Sequence, residues 1–337
     1  MNEVKLIMQK RIEYIDFLKF IGLTGIIIAH VGSPDWLMML RSFDVPLMVI
    51  ISSLLASYSI NKYKNDRKSI YQYYISRFKR LVFPTWLFLI FYFIFRILLT
   101  KKIMNIKYYL ATFLLTRYGL GFVWIILIYL YSAFLIPVYR KIGYKSKSII
   151  VILSIYIVYE LLYFFGIGTA NKIIDTTFFY IVPYGLLTFV GYNFEKNSNK
   201  TKITLVLINF ILFFLLVYYY YFKTGSLQLV QIAKYPPRIY YLSYGLLCSI
   251  ILIFVCSKYN FKIYNNKIIR YISKHSMWIY LWHILILDIY IYLSLPELWY
   301  IKLFFVYIIA IIVVIIINKI IDIIEEKHKF KIFEYLR

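Results

Sequence analysis

The stretch DFLKFIGLTGIIIAH, residues 16–30, reads as an apolar helix that nevertheless carries an Asp, a Lys and a His. At about 100° per residue, Lys19 stands about 300° on from Asp16, and His30 falls about 20° from Lys19 after three full turns. All three lie within about 60° of arc, spread over about 21 Å of helix. Each ionisable group costs roughly 2.5–3.5 kcal/mol at the centre of a membrane span, so a shared stripe predicts a polar cavity beside this helix. The alternative is a snorkelling Lys19, an Asp16 paired to it at i,i+3, and a His30 among lipid headgroups. Gly22 and Gly25 lie near the same face and let a neighbouring backbone or a ligand come close.

The apolar character continues outward from this stretch. Of the 337 residues 62% are apolar, and the mean hydropathy of +0.73 excludes a soluble domain. Ten candidate spans follow, at roughly 17–31, 43–60, 81–99, 121–138, 148–165, 178–193, 203–222, 239–256, 276–295 and 300–318. The expected fold is an all-α polytopic membrane protein of about ten transmembrane helices, forming a single domain over residues 1–337. The first span covers about 22 Å, less than the ~30 Å hydrocarbon core, so it either thins the bilayer or borders a wet cavity. Residues 104–116 are apolar but too short to span, and read as interfacial or re-entrant. The chain beyond Asn318 reads as an amphipathic cytoplasmic tail, about 319–337.

A net charge of +24 on a soluble chain points to nucleic acid. Here Lys and Arg gather in the N-terminal segment, in the connections after even-numbered spans and in the tail. That is the positive-inside pattern; it predicts both termini in the cytoplasm, and no nucleic-acid partner. The first apolar run lacks a small-residue cleavage site, so it is expected to be retained in the membrane. Cys248 and Cys256 share one apolar run and read as buried thiols, with neither a disulfide framework nor a metal site. His275 and His283 are about 80° apart on a helix and make a poor metal pair.

Four segments in order resemble the acyltransferase-3 family of integral membrane acyltransferases. IEYIDFLKFIGLTGIIIAH, residues 12–30, carries the family's basic residue, ten intervening residues and His as Lys19 and His30. FDVPLMVIISSLLAS, residues 43–57, is similar to the family's second span, with Ser52-Ser53 in place of the usual Ser-Gly. SRFKRLVFPTW, residues 76–86, carries the Arg-x-x-Arg as Arg77 and Arg80, and SMWIYLWH, residues 276–283, resembles the Ser-x-x-Ile-Tyr-Leu-x-His element.

The resemblance implies acyl transfer, usually of acetyl from acetyl-CoA, to a hydroxyl of a cell-surface or capsular polysaccharide. The place implied is the bacterial cytoplasmic membrane. Acyl-CoA, a glycan acceptor and membrane lipid are the implied partners; acyl-CoA is a co-substrate, and no permanently bound cofactor is expected. His30 becomes the candidate general base, because imidazole titrates nearest neutrality. Lys19 is expected to hold the donor or bias the field around the thioester, with Asp16 orienting it. Arg77 and Arg80, in the basic connection after the second span, are expected to clamp a CoA phosphate; that connection alternatively anchors topology or anionic lipid. Acceptor-side candidates are Asp44, which pairs with His30, binds sugar or caps its helix, Arg238 in KYPPRIYYLSYG (234–245), and His283, otherwise a hydrogen-bonded interior residue. Trp124 reads as packing. The competing classes are a polysaccharide transporter or flippase, for which matching inverted repeats are not evident, and a polymerase, for which the connections are short.

Overall fold

A computed structural model describes residues 13–259 and 261–327. It is all-α. The ten long helices are α1 (Glu13–Ile28), α3 (Asp44–Ser59), α4 (Arg67–Thr100), α6 (Trp124–Ile142), α7 (Ser146–Phe164), α9 (Phe178–Tyr192), α10 (Asn199–Thr224), α11 (Ile239–Lys258), α13 (Ser276–Tyr292) and α14 (Trp299–Lys327). Short helices α2 (Asp35–Leu40), α5 (Ile106–Phe113), α8 (Lys172–Thr176) and α12 (Lys267–Lys274) fill the connections. Eight of the described helices are long and apolar enough to cross a membrane, and the protein is an integral membrane protein. Helices α1 and α13, of 16 and 17 residues, are not among the eight.

Local chemistry sets the ends. Asp66 caps α4 by accepting from the Ser69 N–H at 2.9 Å, and that bond holds its exposed carboxyl below the usual range. Asn105, Asn171, Ser198 and Asn266 cap α5, α8, α10 and α12 in the same way. Gly225 closes α10 in the left-handed conformation.

One expectation is corrected here. The basic residues from Arg67 to Arg80, expected in a connection, form the first turns of α4. Lys, Arg and Gln are good helix formers, the segment holds no Gly or Pro, and Asp66 supplies the start. Pro84 sits further along without ending the helix. The short segment 104–116 is indeed not a span; it contains the eight-residue α5. The expected tail begins as an unbroken continuation of α14 to Lys327, and its remainder lies outside the described residues.

Helix α3 is the axis of the bundle, packed by α1, α6, α9 and α11. Leu47, Val49, Ile50 and Leu54 on it are fully enclosed. Gly191 of α9 meets α3 so closely that an added Cβ would lie 2.3 Å from the Ile50 carbonyl oxygen. The small residue that this crossing demands is thus supplied by α9, while α3 runs as one helix through Ser52-Ser53. Helices α7 and α10 are at the periphery, with most of their apolar surface outward, as lipid-facing helices require.

Candidate active site

Glycine at position 25 lets α1 settle against the start of α3. A Cβ there would sit 2.9 Å from the Asp44 Cβ. The close crossing sets the C-terminal end of α1, and His30 just beyond it, beside the first turn of α3. From the other side α13 brings His283, and His30 Nδ1 lies 3.0 Å from His283 Nε2 with ring planes 12° apart. The edge of Phe122 closes on His30 at 4.6 Å between ring centres. Phe122 is delivered by the chain after α5, whose own carbonyl accepts from the Tyr280 hydroxyl.

The hydrogen bonds fix the proton positions. His283 Nδ1 is bonded to the Tyr280 carbonyl oxygen, which can only accept. Nδ1 therefore carries a proton, and in the neutral ring Nε2 is an acceptor. His30 Nδ1 must then donate to it, which leaves the lone pair of His30 on Nε2. His283 is completely enclosed (0% exposed), whereas His30 keeps accessible surface. One imidazole supports and the other is presented.

Two cations and one carboxylate surround the pair. Arg41 and Asp44 are 4% and 1% exposed, with Arg41 Nη1 2.8 Å from Asp44 Oδ2 and 3.3 Å from the Gly25 carbonyl oxygen. Lys234, 5% exposed, extends its ammonium over the rings of Tyr235 (5.4 Å), Trp124 (5.6 Å) and Tyr241 (6.0 Å). Burial pushes the Lys234 ammonium down to about 8; Asp44 opposes the shift and Arg41 adds to it. Both cations are near enough to act on the His30 ring electrostatically.

The remaining expected residues are placed elsewhere. Asp16 lies at the other end of α1, about 21 Å from His30 along the axis, where it accepts from Ser273 Oγ at 2.6 Å. Lys19 is one turn further on and half-buried. Asp44 pairs with Arg41 instead of His30. Arg238 is engaged by Glu160 at 2.6 Å and lies over the Tyr163 ring at 3.8 Å, so it clamps the start of α11 to α7. Arg77 donates to Ser59 Oγ and lies over Tyr73 at 5.0 Å. With Lys79 it lines a crevice of about 450 Å³ between α4 and α6, whereas Arg80 lies outside that lining. An adjoining cleft of about 780 Å³ is lined by Arg67, Lys68 and Lys141. Arg41 and Lys234 were not singled out from the sequence. The spacing of Arg41 to Asp44, i,i+3 before a helix, and the Lys set among Tyr and Pro in KYPPRIYYLSYG were the available signals.

Comparison with known proteins agrees with this architecture. Residues 12–319 match the acyltransferase-3 family, described as an acyltransferase domain. Among curated proteins, the chain is similar to the "Probable poly-beta-1,6-N-acetyl-D-glucosamine export protein" of Staphylococcus aureus. Against strain MSSA476 it is 26% identical over 261 residues, which cover 73% of this chain and 69% of the relative. The protein of the same name from strain MRSA252 gives the same identity and coverage. No solved structure matches. With nearly its whole length matched, this chain belongs to the acyltransferase-3 family of integral membrane acyltransferases.

Proposed function

We propose that the protein transfers an acyl group, acetyl being the family's usual one, from cytoplasmic acyl-CoA to a hydroxyl of a cell-surface polysaccharide, with His30 as general base. The observation that carries this reading is the hydrogen-bond relay from the Tyr280 carbonyl through His283 to His30. It puts the lone pair of the neutral His30 ring on Nε2, ready to take a proton as a hydroxyl oxygen attacks the thioester carbonyl carbon. The C–S bond then breaks, and the imidazolium returns the proton to the departing thiolate. His283 is a positioning residue: it holds the His30 ring and its tautomer.

The donor is assigned to the cytoplasmic side, where the positive-inside bias puts the N-terminal half of α4. The cleft lined by Arg67, Lys68 and Lys141 and the crevice beside Arg77 and Lys79 suit the phosphates of CoA. In this reading Arg80 contributes field instead of half of a clamp. Lys19, with Asp16 beside it, faces the donor's path toward His30. A glycan acceptor is favoured by the relatives' names.

Those same names favour export as a second reading. One assay separates the two: transfer of labelled acetyl from acetyl-CoA to base-labile ester on surface polysaccharide, in membranes with wild type or His30→Ala at matched expression. Label in wild type that disappears in the variant supports transfer. Export of unlabelled glycan by both proteins supports the second reading.

A further inference from the structure

Buried charges near His30 do not balance. Arg41 and Lys234 face one carboxylate, Asp44, and the two imidazoles, neutral or protonated, add no negative charge. Among the described residues, Arg41 Nε and Nη2 have no hydrogen-bond partner, and the Lys234 ammonium lies over three aromatic faces and shares with Arg41 the charge of Asp44. An aromatic cage offsets part of the desolvation of an ammonium, but it supplies no anion. Unmatched buried cations are strongly destabilising unless a negative charge joins them.

The placement of Lys234 is also built. It lies on the 225–238 connection, which is tied down on several sides. Gln231 Nε2 donates to Ser42 Oγ at 2.7 Å, next to Arg41. The Tyr240 hydroxyl donates to the Gln228 carbonyl at 2.9 Å, and that of Tyr159 to the Pro237 carbonyl at 2.6 Å. A segment anchored in this way has no freedom to swing its lysine out to solvent.

We infer that Lys234 and the unpartnered edge of Arg41 form the seat for the oxyanion that develops on the acyl carbonyl oxygen while His30 takes the hydroxyl proton. This rests on the acyl-transfer reading. As the acceptor oxygen bonds to the carbonyl carbon, the C=O π pair moves onto oxygen, and the new negative charge completes the local balance. When the C–S bond breaks, the pair returns and the charge leaves with the thiolate, which takes the proton from His30. The two cations thus act on a charge that is absent from the ground state, the condition for raising the rate instead of the affinity.

Lys234 carries the test, because removing Arg41 would strand Asp44. Steady-state transfer is measured for wild type, Lys234→Met and Lys234→Arg, with acetyl-CoA and acceptor varied separately. Lys234→Met is expected to lower kcat about 10²–10³-fold, as loss of one oxyanion donor does, with both KM values within about threefold. Wild-type kcat is expected to fall as pH rises through about 8, where the ammonium is lost. Lys234→Arg is expected to keep at least about a tenth of kcat and to lose that alkaline limb, which makes it informative even if the Met variant fails to fold. A raised KM with unchanged kcat in Lys234→Met overturns the inference and makes the lysine a seat for a permanent anion on the acyl group or sugar. An alkaline limb that persists in Lys234→Arg overturns it too. If wild type transfers and Lys234→Met keeps its kcat, the inference alone falls; if wild type transfers nothing, the acyl-transfer reading falls and takes the inference with it.

Discussion

The two ends of α1 handle their polar groups in opposite ways. At the N-terminal end, Glu13 pairs with Arg270 and Asp16 accepts from Ser273, so the helix is stapled to α12 by groups that meet partners on a neighbouring helix. At the C-terminal end, His30 has one ring nitrogen committed to His283 and the other left as a lone pair, beside an Arg41 with two unmet nitrogens. Satisfied polar groups hold a fold together, whereas unsatisfied ones kept in place by their surroundings are where substrate chemistry is expected. The stripe of Asp16, Lys19 and His30 is therefore two things on one face: an anchor and a reacting group.

Substitutions at the C-terminal end should damage rate and spare the fold. The largest effect is expected for His30→Ala, with transfer lowered about 10²–10⁴-fold, the usual contribution of a general base. Its thermal midpoint in detergent should stay near that of wild type. Equal labelling by wild type and variant would put the base elsewhere. Next is His283→Gln, for which a loss of about 10–100-fold is expected, on the scale of losing a residue that orients a reactive group. The Gln amide oxygen can still accept from His30 Nδ1, so His283→Leu, which cannot, should be the worse of the two. If Leu matches Gln, the tautomer relay has no role.

Much of this was legible in the sequence. The ten apolar runs correspond to ten helices, eight of them long and apolar enough to cross a membrane, because length and hydropathy are properties of the sequence itself. The start of α4 was missed because charge was read as loop, although Asp66 and the run of helix formers after it specify a helix. His30 was found by its spacing from Lys19. Its partner was not, because 253 residues separate His30 from His283 and no periodicity within one helix reports a contact between two. Arg238 is one of two cations in KYPPRIYYLSYG, yet Glu160 engages it, while Lys234 four residues earlier is the one turned into the bundle. Which of two neighbouring cations is spent on a structural partner depends on where Glu160 of α7 arrives, and that is a tertiary fact.

Substitutions at the N-terminal end of α1 should reverse the pattern, lowering stability and sparing the rate constant of the folded protein. Ser273→Ala removes a buried donor to a carboxylate, and the unfolding free energy should fall by about 1–3 kcal/mol. Transfer per folded molecule should change little.

The smallest effect is expected for Arg270→Ala, and its size sharpens the comparison. Arg270 and Glu13 are both about one-third exposed, so water screens the pair and an exposed pair contributes only ~0–1 kcal/mol. Arg270 also donates to Asn265 Oδ1 and to the Tyr264 carbonyl, so its removal loosens the turn before α12 as well as the staple to α1. The expected outcome is a slightly lower thermal midpoint that high salt narrows, since salt weakens the wild-type pair and leaves the variant as it is. A drop in transfer comparable to that of His30→Ala, with the midpoint unchanged, would mean that the two ends of α1 are coupled through the helix. The division into an anchoring end and a reacting end would then be wrong.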